Sequence, residues 1–131
     1  MWLDVDPRSS TPIYQQIVDQ IKEAVARKVL QPGDKLPSVR ELSAMITINP
    51  NTIAKAYQQL EREGVLEVLR GRGTFIAERI VHVNREERLR QIRETMEKLL
   101  IEAHYLQLTT DDLMELFKEV IRQWKQGKEE R

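Results

Sequence analysis

Apolar residues early in the chain recur with helical spacing. Ile13, Ile17, Ile21, Ala24, Val25 and Val29 share one stripe of a 3.6-residue repeat. Ser10-Thr11 ahead of Pro12 predicts a hydroxyl cap with proline at the first helical position. Gln31-Pro32-Gly33-Asp34 predicts the turn that stops this helix, and Lys35-Leu36 has room only for an edge strand. Ser38-Val39-Arg40-Glu41 has the form of a capping box, in which each side chain takes the other residue's amide. It opens a short helix to about Met45, which the β-branched run Ile46-Thr47-Ile48 ends. Asn49-Pro50 opens a third helix, with Ile53, Ala56 or Tyr57, and Leu60 facing inward and Gly64 as a left-handed cap.

The period then changes. Val65 to Leu69 and Thr74 to Ala77 read as two short strands, joined by the hairpin loop Arg70-Gly71-Arg72-Gly73. Residues 78 to 83 read as a connector. Asn84-Arg85-Glu86-Glu87 repeats the capping-box pattern, and beyond it Leu89, Ile92, Met96, Leu99, Ala103 and Leu106 alternate steps of three and four. Thr109-Thr110-Asp111-Asp112 caps a last helix with apolar residues at Leu113, Leu116, Phe117, Val120, Ile121 and Trp124. The tail from Gln126 to Arg131 is polar and predicted to fray. The fold class expected is mostly α with a small β-hairpin. Residues 1–78 are expected to form a winged helix-turn-helix domain, and residues 79–131 a two-helix domain.

Composition narrows the function. With 40% hydrophobic and 32% charged residues the 131-residue chain can build a core. It has no cysteine, which excludes disulfides, thiolate metal sites and cysteine nucleophiles. No apolar run approaches the roughly 20 residues that span a bilayer, and no secretory signal opens the chain, so a cytoplasmic protein without membrane contact is expected. His82 and His104 stand apart, with no carboxylate at metal-ligand spacing. Glu86-Glu87 and Asp111-Asp112 sit in first helical turns, where the helix dipole accounts for them. Gly71-Arg72-Gly73 does not lead into a helix and is no phosphate loop. No enzyme activity, cofactor or metal is expected.

Lys plus Arg and Asp plus Glu each number 21, so net charge says nothing about nucleic acid. Local placement does. From Leu42 through Leu60 there is no acid, and acids resume at Glu61 and Glu63, the far end of the third helix. A recognition helix enters the major groove by its N-terminal end, here Asn49-Pro50-Asn51-Thr52 followed by Lys55. Asn pairs bidentately with adenine, Thr meets a thymine methyl, and Lys reaches phosphate or guanine. Arg40 and the wing residues Arg70 and Arg72 add phosphate or minor-groove contacts. Taken singly these features are bland. Ser38 and Asn49 are first of all caps, Gly71 and Gly73 suit any tight hairpin, and Lys55 alone is a solvated charge. Their order along the chain is what points to DNA.

These residues resemble the DNA-binding domain of GntR-family bacterial transcriptional regulators. The resemblance runs from residue 10 to residue 77. It rests on Pro12-Ile13-Tyr14-Gln15-Gln16-Ile17, on Pro32 through Leu42, on Asn49-Pro50-Asn51-Thr52, on Lys55 through Gly64, and on Gly71-Arg72-Gly73-Thr74-Phe75. The short helical remainder is similar to that of the YtrA subfamily. The resemblance implies a homodimeric repressor on a palindromic operator in double-stranded DNA, often beside genes for an ABC-type transporter. It also implies that Arg40 matches the family's DNA-contacting arginine and that Gly71 to Thr74 match the wing tip. Pro50 and Ala54 depart from the arginines that many other subfamilies place in this helix.

The DNA-facing set is therefore Ser38, Arg40, Asn49, Asn51, Thr52, Lys55, Arg70, Gly71, Arg72, Gly73 and Thr74. The dimer set is Leu89, Ile92, Met96, Leu99, Ala103, Leu106, Leu113, Phe117, Val120 and Trp124. Two helices alone bury little, so their apolar surface calls for a partner, taken as a second copy of the chain; the alternatives are a monomer in which the two helices pack only on each other, or a winged domain packed on its own tail. No small-molecule effector is identified. The alternative reading is a winged-helix module for protein or RNA interaction with a helical adaptor tail. Such a module has no need of an acid-free face.

Overall fold

The computed structural model describes residues 2–79 and 84–129, the side chains of 128 and 129 excepted. Five helices and three short strands follow in the order α1 (Ile13–Ala26), β1 (Lys35–Leu36), α2 (Val39–Ile46), α3 (Pro50–Arg62), β2 (Leu66–Leu69), β3 (Gly73–Ile76), α4 (Arg85–Tyr105) and α5 (Thr110–Glu129). The chain forms two compact units, Met1–Val83 and Asn84–Arg131. Most of the expected connector, and His82 with it, lies outside the described residues.

In the first unit α1 and α2 both pack on α3. Ile17 and Ile21 of α1, Leu42 of α2, Ile53 and Leu60 of α3 and Ile76 of β3 meet in a core where each is at most 2% exposed. Both Ala56 and Tyr57 are buried, so the inward stripe of α3 is wider than a single alternative at that turn. The strands form a three-stranded antiparallel sheet in the order β1-β3-β2, not a hairpin alone. Lys35 pairs with Phe75 and Leu36 with Thr74, which makes β1 the edge strand that its length allows.

The boundaries of α1 differ from the pattern. Pro12 is itself the N-cap, with extended ψ of 147° and no side-chain cap bond; its carbonyl accepts from Gln16 N over 3.0 Å. The Ser9 hydroxyl serves a local turn instead, accepting from Thr11 N. At the other end Lys28 adopts φ 62°, and the amides of Val29 and Leu30 both turn back to the Ala24 carbonyl. That reversal leaves Val29 exposed and sends Leu30 into the core in its place.

The segment ahead of α1 is built in by side chains that look like polar helix surface. Gln16 accepts from Asp6 N and donates to the carbonyls of Asp6 and Thr11, each over 2.8 Å. One turn on, Gln20 accepts from Asp4 N and donates to Asp4 O, both over 2.6 Å. The two amides mimic a neighbouring strand and satisfy backbone groups that would otherwise be left without partners. Leu3 is thereby held in the core.

In the second unit Thr109 caps α5 through a reciprocal box, its hydroxyl accepting from Asp112 N while the Asp112 carboxylate accepts from Thr109 N. The box expected at Asn84 does not form. Asn84 has φ 53° and ψ 43°, not the extended backbone of a capping residue, and its side chain makes no cap bond. The polar tail continues α5 as helix to Glu129. Ala103 is buried, while Leu89, Ile92, Met96 and Leu99 of α4 and Leu106 at its C-cap are exposed by 42% or more. Leu116, Phe117, Val120, Ile121 and Trp124 of α5 are also exposed. No helix among the described residues is long and apolar enough to cross a membrane.

Candidate nucleic-acid interface

Two helix starts define the candidate interface. At the first, Ser38 has ψ 166° and forms the predicted capping box with Glu41 in both directions, each bond 3.1 Å. The Ser38 amide, and then its hydroxyl, hold the Glu41 carboxyl below the usual carboxylate range. The Glu41 carboxylate is thus committed to the cap. Arg40, in the first turn of this helix, is exposed.

At the second start Asn49 caps α3, its side-chain oxygen accepting from Asn51 N over 2.8 Å, with Pro50 as the first helical residue. The cap occupies the Asn49 oxygen. Asn51 and Lys55 are exposed on one face, four residues apart, and Thr52 is half-buried beside them. Between the helices Thr47 takes a left-handed conformation, and Ser43 closes the turn by donating its hydroxyl to Ile48 O over 2.6 Å. Lys55 Nζ stands 3.8 Å from the centroid of the Tyr14 ring on α1. The sequence pattern did not single out Tyr14.

The hairpin tip is a third group. Leu69 pairs with Gly73, so Arg70, Gly71 and Arg72 form a three-residue loop closed by Arg72 N donating to Leu69 O over 2.9 Å. Gly71 has φ 75° and Gly73 φ 126°, both conformations that favour glycine. Strand β1 links this wing to α2. Carrying the Leu36–Thr74 register one step on brings Gly73 level with Pro37, the residue before the Ser38 cap. Lys35 lies over the wing root: a Cβ on Gly73 would meet Lys35 Cε at 2.9 Å. Lys35 is a further cation at the wing, visible only once the strand register is known. The structure thus adjoins the wing root to the start of α2, while Asn51, Thr52 and Lys55 form their own group on α3. Among the described residues no cluster of histidines and acids could hold a metal.

Residues 13–76 match the family described as bacterial regulatory proteins, gntR family. Over 126 residues the chain is 49% identical to the HTH-type transcriptional repressor YtrA of Bacillus subtilis (strain 168), covering 96% of this chain and 97% of that one. The chain belongs to the GntR family. Among solved structures, this GntR protein is similar to a transcriptional antiterminator from Listeria monocytogenes EGD-e, with TM-score 0.81, 36% identity, and 92% and 90% of the two chains covered. It is also similar to YtrA from Sulfolobus acidocaldarius, a GntR-family transcription factor, with TM-score 0.63, 38% identity, and 77% and 99% covered. The protein is a DNA-binding transcriptional regulator of YtrA type. The Leu3 strap lies ahead of the family match, which starts at Ile13, while Gln16 and Gln20 that clamp it fall inside the match.

Proposed function

We propose that this GntR regulator binds an inverted-repeat operator as a homodimer in the cytoplasm and represses transcription from it. The start of α3 enters the major groove, where Asn51 and Thr52 meet base edges. Lys55, Arg40, Arg70 and Arg72 neutralise phosphates, and the wing backbone from Gly71 to Thr74 follows the groove edge. Ser38 and Asn49 preorganise the two helix starts as caps and leave their amide ends toward phosphate. The observation that carries this reading is the exposed Asn51-Lys55 face on a capped helix start with no acid from Leu42 to Leu60.

Dimerisation is supported by the apolar residues that α4 and α5 leave uncovered, from Leu89 to Trp124. Repression follows the Bacillus subtilis relative, which is named a repressor. The test is selection of bound sequences from a random duplex library, followed by Asn51→Ala on the selected site. The expected site has dyad symmetry with half-site centres about one helical turn, roughly 34 Å, apart. Asn51→Ala should cost about 1–3 kcal/mol on that site and little on random duplex. An unchanged operator-to-random ratio would reject α3 as the reader. A selected site without dyad symmetry would reject the inverted-repeat operator.

A further inference from the structure

Lys55 is the one basic residue of α3 ahead of Arg62 in its last turn. Its ammonium rests on an aromatic face and not on a carboxylate: Nζ lies 3.8 Å from the Tyr14 centroid. Among the described residues no carboxylate pairs with it, and the stretch from Leu42 to Leu60 contains none. The distinction matters for an anionic ligand. A carboxylate would fix the ammonium and cancel its charge, whereas a ring quadrupole fixes it and leaves the charge in place. Tyr14 is itself anchored. It sits in the first turn of α1, half-buried against the core, on the helix that packs along α3. An exposed lysine must otherwise give up rotamer freedom on binding, and holding it beforehand lowers that cost.

We propose that Tyr14 is a positioning residue that holds the Lys55 ammonium for a DNA phosphate at the edge of the groove α3 enters. The proposal rests on the reading of α3 as the docking helix and adds to it in two ways. Lys55 is drawn to the α1 side of its helix, so it anchors the backbone and leaves base reading to Asn51 and Thr52. Tyr14, on a helix outside the helix-turn-helix pair, contributes to affinity without needing to read sequence.

A double-mutant cycle on the full chain tests this, using Tyr14→Leu, Tyr14→Phe, Lys55→Met and Tyr14→Leu/Lys55→Met. Affinity is measured on the selected operator and on random duplex across a salt series. Lys55→Met should weaken both duplexes alike and lower the salt slope by about one unit. Tyr14→Leu should weaken binding about two- to fivefold with Lys55 present, the worth of an exposed cation–π contact, and change little once Lys55 is Met. Tyr14→Phe should bind as wild type does, since it keeps the ring. In the DNA-free protein the Lys55 ε-methylene protons should show a ring-current shift that Tyr14→Phe keeps and Lys55 alone reports, whatever Tyr14→Leu does to folding. Equal losses from Tyr14→Leu in both backgrounds, a loss from Tyr14→Phe as large as from Tyr14→Leu, or an absent ring-current shift would each overturn the proposal. Those results with an intact Asn51→Ala effect would remove Tyr14 alone. Loss of the Asn51→Ala effect would remove the docking reading and this proposal together.

Discussion

Tyr57 donates its hydroxyl hydrogen to the carbonyl of Pro37 over 2.7 Å, tying the middle of α3 to the residue just before the Ser38 cap of α2. One bond thus sets the start of the second helix against the body of the third. Tyr57 is 7% exposed and Pro37 half-buried, so losing the bond leaves the Pro37 carbonyl with only partial access to water. Tyr57→Phe keeps the ring and removes the donor. It should lower stability by about 1 kcal/mol in urea titration, the net worth of one part-buried hydrogen bond. A loss of a few tenths would mean that water replaces the hydroxyl.

The same hydroxyl predicts alkaline behaviour. Burial, and then the Glu41 charge, push its pKa above the ordinary tyrosine value. Below about pH 10 the phenol is protonated in both folded and unfolded chains, and its contribution to stability is fully present. As pH rises further the unfolded chain ionises first and binds fewer protons than the folded one, so stability falls through that window. The urea midpoint of the wild type should drop more steeply above pH 10 than that of Tyr57→Phe. Parallel curves would show that Tyr57 ionises as readily folded as unfolded.

Thr47 holds the turn between α2 and α3 at φ 55° and ψ 50°, a left-handed conformation that a β-branched residue adopts at a cost. It is exposed, and its amide bonds to Ser43 O. Thr47→Asn should therefore raise stability by about 1 kcal/mol, at the low end of the strain such residues carry. Thermal unfolding measures this directly. A lower melting temperature would mean that the threonine methyl or hydroxyl contributes more than the strain removes.

Arg40 and Arg72 should act as anchors. Each is exposed, one in the first turn of α2 and one in the wing loop. Phosphate contacts position a protein without reading sequence. Arg40→Ala should weaken operator and random duplex equally and lower the salt slope by about one unit. Arg72→Ala should do the same, with loss of any A·T preference flanking the site if the wing tip enters the minor groove. An operator-selective loss for Arg40→Ala would make it a reader.

Much of this architecture was legible because its signals are local. The Ser38–Glu41 box, the Asn49-Pro50 start and the Arg70-to-Gly73 turn each depend on residues within four positions of one another; the first two form as expected, and the hairpin forms with a loop one residue shorter, because Gly73 pairs with Leu69 as the first residue of β3. What was missed depends on distant partners. Gln16 and Gln20 fall off the apolar stripe of α1 and carry no signal of their role, because their targets in Asp4, Asp6 and Thr11 are backbone groups without a side-chain signature. Leu3 was missed with them, since an extended strap has no period. The contacts of Tyr14 with Lys55 and of Lys35 with Gly73 need α1–α3 packing and strand register. Asn84 shows the opposite error: the box motif is present, but asparagine also tolerates the left-handed backbone that it adopts there.

The helical unit leads to the final prediction. Leu89, Ile92, Met96 and Leu99 lie along one side of α4 and are each 42–52% exposed, while Phe117, Val120 and Trp124 leave a second open stripe on α5. Burying such side chains stabilises by about 25 cal/mol per Å² of apolar surface, which a second copy of the same helices can supply. Ile92 and Leu99 are seven residues apart, so they occupy equivalent places in successive heptads. Charging both puts like charges from two copies into one seam. Ile92→Glu/Leu99→Lys would allow cross-pairing, so Ile92→Glu/Leu99→Glu is the cleaner choice. This variant should sediment as a monomer with the α1 to β3 unit still folded. Its operator affinity should fall by up to about 10²–10⁴, because the second half-site is no longer held nearby at high effective concentration. Its affinity for an isolated half-site should stay that of the wild type. A variant that still sediments as a dimer would place the subunit contact away from this seam.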